Sequence, residues 1–249
     1  MKKIMALAAL LCFLFTGVLS VFQVKSLHAE AVQDQQIYAV EAPAAASVDY
    51  EALYRSHPAE EVIGTVNGDP VLWEEYFYFY CGYAAEVESV MNYYNQYGYA
   101  LSWEDPYGEG MTWADVPAES AEQSILQVRG IELCAAENGI SLPADAEEQM
   151  DQLIEATAES ALGEGATVEA FEEYLAKGYL SMPVYRRMLS TNLLYEQLLP
   201  ENIEEMEAEE AQAVQEILSE NLQKTMEKLS FVPDEAFQVP AVQNFLKIS

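Results

Sequence analysis

The sequence predicts a mainly α-helical protein in which two short strands, near residues 62–66 and 230–232, pair with each other. Beyond residue 70, apolar side chains recur every three or four residues over most of the chain, which is the period of an amphipathic helix. Runs typical of β-strands stand at only those two places, one at each end of the helical region. A lone strand cannot satisfy its own backbone N–H and C=O groups, and we therefore expect the two strands to pair.

The first 29 residues have the pattern of a secretory signal peptide. Lys2 and Lys3 precede a nearly uncharged apolar run over residues 4–22, and small residues follow at Ala29 and Ala31. The run is also long enough to remain as an uncleaved membrane anchor. We therefore expect an exported protein of the extracellular space or the cell envelope, which would contact the membrane only through this segment.

Residues 30–59 are rich in Ala, Gln, Val and Ser and show no sustained period, which predicts a flexible spacer before the folded region. Acids dominate the charge of the whole chain, which has 42 Asp and Glu residues, 11 Lys and Arg residues and a formal net charge of −31. Such a surface repels phosphate and argues against nucleic acid as a partner. It could attract cationic segments or divalent ions, although solvated helix faces account for most of the acids.

The folded region begins with the strand at residues 62–66. Asn67 and Gly68 close it, because both residues suit the positive φ angles of a tight turn. A long helix follows, with Glu74 and Glu75 in the first turn, where the helix dipole favours acids. One face of this helix repeats at alternating intervals of four and three residues, and its members are Tyr76, Tyr80, Tyr83, Val87, Val90, Tyr94 and Tyr97.

Most of this aromatic face is predicted to form the core of a helix bundle, with phenol groups reaching its rim. A subset near the end of the helix, Tyr93, Tyr94 and Tyr97, is the candidate for a binding groove, because aromatic rings offer a large contact area. Trp103 and Trp113 lie in a turn-rich loop over residues 101–117 and join the candidate binding residues.

The second and third helices are marked by their apolar periods and by glycines at their ends. The second carries apolar positions from 121 to 135 and is expected to end at Asn138 and Gly139, with Gly139 left-handed. The third runs from about residue 143 to residue 161, and Gly163 then breaks the chain.

Two further helices begin at capping residues. Thr167 caps a short one, and Ser181 begins a longer one that ends at Pro200. The acidic stretch over residues 201–212 is a charged connector or the start of a last amphipathic helix. The second strand and a tail over residues 236–249 complete the chain.

No catalytic residue, cofactor or metal ligand is predicted. The chain has neither a GxGxxG nor a GxxxxGK[ST] phosphate-binding loop. Beyond the signal peptide its one histidine, His57, lies in the predicted spacer, which argues against a Ser-His-Asp triad or a histidine-based zinc site. Cys81 and Cys134 permit one disulfide, although each has the sequence context of a small buried thiol.

Residues 62–80, VIGTVNGDPVLWEEYFYFY, resemble the opening of the N-terminal domain of SurA and PrsA-type foldase chaperones. In that family a short strand of the form V-x-x-V-N-G-x-x-I leads into a helix with an acid pair and an aromatic residue. The matching positions are Val66, Asn67, Gly68, Val71, Glu74, Glu75 and Tyr76. Leu72 departs from the family, which usually carries a capping Ser or Thr there.

The order of later features is also similar to that family over roughly residues 62–199. A W-x-D-P-like loop stands at residues 103–106, a helix ends at residues 138–140, and an F-E-E-Y-L helix follows at residues 171–175. The resemblance implies a SurA N-terminal-like helical domain over residues 60–235. Such a domain holds unfolded or newly secreted polypeptides in a helical cradle.

Larger members of the family insert a parvulin-type peptidyl-prolyl isomerase domain after the helical region and then return with a helix and a strand. Residues 221–237 resemble that returning segment. No glycine follows Gly178 and no histidine follows His57, so the isomerase domain is absent from this part of the chain. The resemblance therefore implies client binding without isomerase activity.

Two other functions stay open at this point. The chain could be a non-catalytic interaction or scaffold protein of the cell surface. It could also be a foldase related to peptidyl-prolyl isomerases, with catalytic residues that the sequence does not reveal. A homodimer formed by exchange of the terminal helix is compatible with all three.

Overall fold

The structure is a computed structural model that describes residues 47–108, 110–200 and 202–247. It is mainly helical with a few short antiparallel strand pairs, which confirms the predicted fold class. The predicted signal peptide over residues 1–29, and the predicted spacer as far as residue 46, lie outside the described residues. Among those described, no helix combines the length and the apolar character that crossing a membrane requires.

A three-stranded antiparallel sheet closes one end of the folded region. β2 (Val62–Val66) lies between β3 (Asp69–Leu72) and β6 (Phe231–Pro233). Thr65 stands opposite Val232 in the β2–β6 pair, which confirms that the two predicted strands pair with each other.

The turn between β2 and β3 has the predicted positive φ angles, which are 52° at Asn67 and 84° at Gly68. The strand β3 itself was not predicted. Its Pro70 is tolerated because β3 lies at the edge of the sheet. On the other side of β2, a Cβ atom at Gly64 would lie 2.6 Å from the backbone oxygen of Val232, so the β2–β6 pair requires a glycine there.

Two smaller strand pairs complete the β-structure of the described residues. β1 (Ser47–Val48) pairs with β7 (Leu246–Lys247), and β4 (Pro106–Gly108) pairs with β5 (Met111–Thr112). The β1–β7 pair brings the two ends of the described chain side by side.

Seven α-helices lie in the described part of the chain, and the longest of them form its centre. They are α1 (Tyr50–Tyr54), α2 (Trp73–Gln96), α3 (Val116–Glu137), α4 (Ala146–Leu162), α5 (Val168–Lys177), α6 (Met182–Leu198) and α7 (Ala208–Met226). α2 and α3 pack along each other, α6 and α7 pack on α3, and α4 packs on α5 and α6. Two short 3₁₀ helices, Ile203–Glu205 and Val242–Phe245, lie in the connections.

The predicted helix ends are largely confirmed by their hydrogen bonds. Thr167 Oγ1 accepts from the Ala170 N–H, Ser181 Oγ accepts from the Val184 N–H, and Gly139 is left-handed with φ 68°. Leu72 provides no side-chain cap for α2. Backbone oxygens replace it, because the Trp73 N–H donates to Glu61 at 2.8 Å and the Glu74 N–H donates to Ala59 at 3.0 Å.

The structure corrects two predicted boundaries. The spacer was predicted to extend to residue 59, whereas β1 and α1 are folded and bury Val48 and Leu53 in the main core. The tail was predicted to begin at residue 236, whereas Phe237 and Val242 belong to the same core. Isolated apolar residues have no period, so the pattern of the sequence did not show that they are buried.

Two clusters of buried side chains form the core. The first surrounds the N-terminal part of α2 and includes the sheet, α1 and the C-terminal segment, with Trp73, Tyr76, Phe77 and Tyr80 among its largest members. The second lies between α4, α5 and α6, where Phe171 is fully buried. The aromatic face of α2 is therefore core in its first half, as predicted.

Candidate functional site

The last two turns of α2 extend beyond the core. Met91 is the last buried side chain of this helix, with 3% of its surface exposed. Beyond it, four tyrosines are 43% to 59% exposed: Tyr93, Tyr94, Tyr97 and Tyr99. We refer to these four residues as the tyrosine cluster. The predicted residues Tyr93, Tyr94 and Tyr97 thus come together on the surface, and Tyr99 was not predicted.

The rings of the tyrosine cluster contact one another. Tyr93 lies with its ring centroid 5.1 Å from that of Tyr97 and 5.6 Å from that of Tyr94, and Tyr94 lies 5.7 Å from Tyr99. A hydrogen bond with Tyr97 raises the pKa of Tyr93 above its ordinary value. The cluster is therefore a continuous aromatic surface with hydroxyl groups at its edge.

A hydrogen-bonded loop holds the cluster in place. Asn95 accepts from the Leu101 N–H at 2.5 Å and donates to the Leu101 carbonyl oxygen at 3.1 Å. The chain reverses between these residues through Gly98 and Ala100, which have φ angles of 86° and 50°. The Asn95 side chain thus fixes Tyr99 beside the end of α2.

The two predicted tryptophans lie elsewhere. Trp103 is only 4% exposed and belongs to the main core, so it does not belong to a binding surface in this structure. Trp113 is half-buried and packs edge-to-face on Tyr107, with ring centroids 4.8 Å apart. Both tryptophans were predicted as candidate binding residues because they lie in a turn-rich loop, but the loop that carries the β4–β5 hairpin packs both indoles against the main core.

An apolar cleft lies between α2, α3 and α6. It is lined by Tyr78, Phe79, Gly82, Tyr83 and Glu86 of α2, by Ser124, Gln127 and Val128 of α3, and by Met188 and Thr191 of α6. Its free volume is about 50 Å³. This is far less than the roughly 300 Å³ or more of a small-molecule site, and it fits a single side chain.

Most residues of this cleft were not predicted from the sequence. Tyr78, Gly82 and Glu86 recur at intervals of four residues on α2, beside the predicted aromatic face. This second stripe was a signal that could have indicated them. Met188 could not be assigned to the cleft from the sequence, because no local pattern shows that α6 lies across the cleft from α2.

The cleft and the tyrosine cluster share one face of α2. Glu86 and Tyr93 are seven residues apart, which rotates them by only about 20° around a helix axis. Gly82 and Tyr93 are eleven residues apart, close to three full turns, and so are Glu86 and Tyr97. Helix geometry therefore places the two features on the same side of α2, with the cleft nearer its middle and the tyrosine cluster at its end.

Burial raises the pKa of each titratable group in the cleft. Burial raises the pKa of Tyr78 to about 12. Burial also raises the pKa of Tyr83, although its hydrogen bond with Ser124 at 3.0 Å acts in the opposite direction. Burial likewise raises the pKa of Glu86. A protonated phenol offers one donor and one acceptor, so the cleft is suited to hydrogen bonding with a polypeptide backbone.

A buried ionic network fixes the helices around the cleft. Arg129 of α3 forms two 2.8 Å hydrogen bonds with the carboxylate of Glu75 on α2. Arg187 of α6 lies 3.8 Å from the same carboxylate and donates to Glu132 of α3 at 2.9 and 3.1 Å. Because Glu75 and Arg129 are 4% and 3% exposed, this network sets how the three helices meet.

The histidine and the two cysteines of the described residues pack against neighbouring side chains or remain free thiols. In the described ranges, no group of three His, Cys, Asp or Glu residues is arranged to hold a metal ion. His57 contacts Glu61 at 3.1 Å and packs between the rings of Trp73 and Phe237. Cys81 and Cys134 are both free thiols, so they do not form the disulfide that the sequence permitted.

Comparison of the chain with protein-family models, with curated proteins and with solved structures gives no match. The resemblance to SurA and PrsA-type chaperones therefore stays a prediction from the sequence motif.

Proposed function

We propose that this protein is an exported chaperone-like module that binds unfolded or newly secreted polypeptides and has no isomerase activity. The observation that carries the proposal is the tyrosine cluster, which exposes four contacting aromatic rings at the end of a helix whose earlier aromatic residues pack in the core. Exposed clusters of large rings are unusual on a protein without a binding partner. The signal-peptide pattern places such a surface outside the cytoplasm.

The cleft supplies the second part of the binding surface. Its apolar walls and small volume fit one apolar side chain, while the tyrosine cluster fits neighbouring residues of the same segment. Gly82 and Tyr97 are about 22 Å apart along the helix axis. An extended polypeptide of about seven residues covers that distance. Adaptable apolar contacts of this kind suit many clients at modest affinity.

Light scattering of an aggregating client tests the proposal. A chemically unfolded, aggregation-prone protein is diluted into buffer with increasing amounts of this protein. We expect suppression of scattering near an equimolar ratio, because each molecule presents one surface. The double substitution Tyr94→Ser and Tyr97→Ser removes half of the cluster and should abolish the suppression while the helical circular dichroism and the melting temperature remain unchanged.

Tyr174→Ser is the matched control. Tyr174 is 48% exposed on α5, in the part of the fold that packs around the second core cluster. The control should suppress aggregation as well as the unsubstituted protein does. Scattering that is unaffected by a several-fold excess of the unsubstituted protein would overturn the proposal.

The alternatives give different results in two further assays. An interaction or scaffold protein forms a saturable complex with one folded partner. It does not bind unfolded polypeptides and does not change their light scattering. A foldase with unrecognised isomerase activity accelerates proline-limited refolding, which takes tens of seconds or more without catalysis. The proposed module leaves that rate unchanged.

A further inference from the structure

The tyrosine cluster lies in a long stretch of the chain that carries acids but no lysine or arginine. Between Arg55 and Arg129 the sequence has thirteen Asp and Glu residues and neither of the two basic types. The charged residues nearest to the cluster along the chain are Glu88 before it and Glu104 and Asp105 after it. This stretch therefore attracts a cation that approaches the cluster from solution and repels an anion.

The loop that follows α2 holds one of these acids beside the cluster. The Leu101 N–H donates to Asn95 of α2 at 2.5 Å. A turn comes directly after it, in which the Asp105 N–H donates to the Ser102 carbonyl oxygen at 3.2 Å. Glu104 lies in this turn and is exposed. Three residues span at most about 11 Å, so the Glu104 Cα atom lies within that distance of the residue that Asn95 binds.

The cations of the described chain are engaged elsewhere. Seven of the eight lysine and arginine residues in the described ranges form ion pairs with acids of the same chain. The eighth, Lys177, ends α5, the helix that packs on α4. A cation at the tyrosine cluster would therefore come from another molecule.

The rings of the cluster have the chemistry that attracts a cation. The face of an aromatic ring carries partial negative charge, and an ammonium or guanidinium group is stabilised when it lies over that face. Tyrosine keeps this face and adds a hydroxyl group that remains solvated at an exposed position. The four tyrosines are 43% to 59% exposed, so ring surface is free for such a contact.

We propose that the tyrosine cluster selects segments of its client polypeptides that carry lysine or arginine, with the cationic groups over the faces of the rings. The acids of residues 56–128 attract such a segment from solution, and the rings bind it at short range. A polypeptide as the source of the cation rests on the proposed chaperone function, whereas the preference of the cluster for a cation does not.

Calorimetric titration of the full chain with two matched peptides tests the proposal. In the first peptide, which is acetylated and amidated at its ends, two lysines flank a leucine between Ser-Gly sequences. In the second, each lysine is replaced by Nε-acetyl-lysine, which keeps the long side chain and removes the charge. We expect saturable binding of the first peptide and about tenfold weaker binding of the second, because both lysines lose their contact with the rings. Equal binding of both peptides, or binding of neither, would overturn the proposal.

Two double substitutions that leave the net charge unchanged locate the preference. Tyr94→Phe with Tyr97→Phe keeps all four ring faces and should keep the preference of about tenfold. Tyr94→Leu with Tyr97→Leu keeps apolar bulk but removes two ring faces, so the preference should fall to about threefold or less. A preference that stays about tenfold in the leucine variant would overturn the proposal, since the net charge of the chain would then be its source.

The scattering assay distinguishes the failure of this proposal from the failure of the proposed function. Suppression of client aggregation together with equal binding of the two peptides would overturn the preference for cations and leave the chaperone function standing. A preference for the lysine peptide that is lost in the leucine variant, without suppression of aggregation, would overturn the chaperone function and support the binding of cations by the tyrosine cluster.

Discussion

At the scale of single residues, the most consequential contact is the buried pair of Glu75 and Arg129. Each is less than 5% exposed, and the two hydrogen bonds between them are 2.8 Å long. Desolvation offsets much of the attraction within such a pair, but the loss of one partner leaves an unpaired charge inside the protein. Glu75 was interpreted from the sequence only as a dipole-favoured acid, since nothing in the sequence places Arg129 opposite it.

The substitution Arg129→Met tests this contact. We expect it to lower the free energy of unfolding by about 3–5 kcal/mol, because among the described residues Glu75 then keeps as a cationic neighbour only Arg187, 3.8 Å away. Urea unfolding followed by circular dichroism measures the change. The double substitution Glu75→Met and Arg129→Met should recover most of the loss. A loss below about 1 kcal/mol for Arg129→Met alone would contradict this prediction, because it would show that the pair contributes no more than a solvent-exposed ion pair does.

At the scale of elements, the packing of α7 on α3 depends on a glycine. Leu218 and Thr225 are the buried residues of α7, so the helix has few anchors. Gly130 of α3 lies directly beneath Met226, and a Cβ atom at position 130 would be 2.7 Å from the Met226 Cγ atom. A glycine inside a helix costs about 1 kcal/mol of stability relative to alanine. The close approach of Met226 explains why a glycine stands at position 130 in spite of this cost.

The effect of Gly130→Ala on the free energy of unfolding should therefore depend on the side chain at position 226 and change sign when Met226 is replaced. In the unsubstituted protein we expect a destabilisation of about 1–2 kcal/mol, because the added methyl group overpacks the contact. In a Met226→Ala background, the same change should stabilise the protein by up to about 1 kcal/mol, since helix propensity then decides. Thermal or urea unfolding of the four proteins completes the cycle. The same sign in both backgrounds would mean that Met226 does not set the approach of the helices.

At the scale of the whole molecule, both ends of the described chain stabilise the core. β1 and β7 pair, Val48 and Leu53 are buried near one end, and Phe237 and Val242 are buried near the other. Folding of this protein therefore extends over regions whose composition predicted a spacer and a tail.

Truncation after Ala236 tests this arrangement. We expect the free energy of unfolding to fall by about 3–6 kcal/mol, because the burial of two large apolar side chains is lost. Asn244→Ala, an exposed change in the same segment, is the control and should alter stability by no more than about 0.5 kcal/mol. An unchanged urea midpoint in the truncated protein would show that residues 237–249 do not contribute to the core.

The sequence by itself determined the features that depend on neighbouring residues. The helices, the turn at Asn67 and Gly68, and the caps at Thr167 and Ser181 follow from side-chain period and local hydrogen bonding, and the structure confirms them. Tyr93, Tyr94 and Tyr97 near the end of α2 were also named from the sequence as the candidate surface, because aromatic rings offer a large contact area.

Only the tertiary structure decided which equivalent residues are buried. Tyr83 and Tyr97 belong to one face of α2, yet the first is 6% exposed and the second 59%. The hydroxyl of Tyr83 contacts Ser124 of α3 at 3.0 Å, whereas Tyr97 lies beyond Met91, the last buried residue of α2. The burial of Trp103 and the formation of the cleft also depend on packing between elements that are distant in the sequence. The period of a sequence defines a face along a whole helix, whereas burial depends on how far the elements packed against it extend.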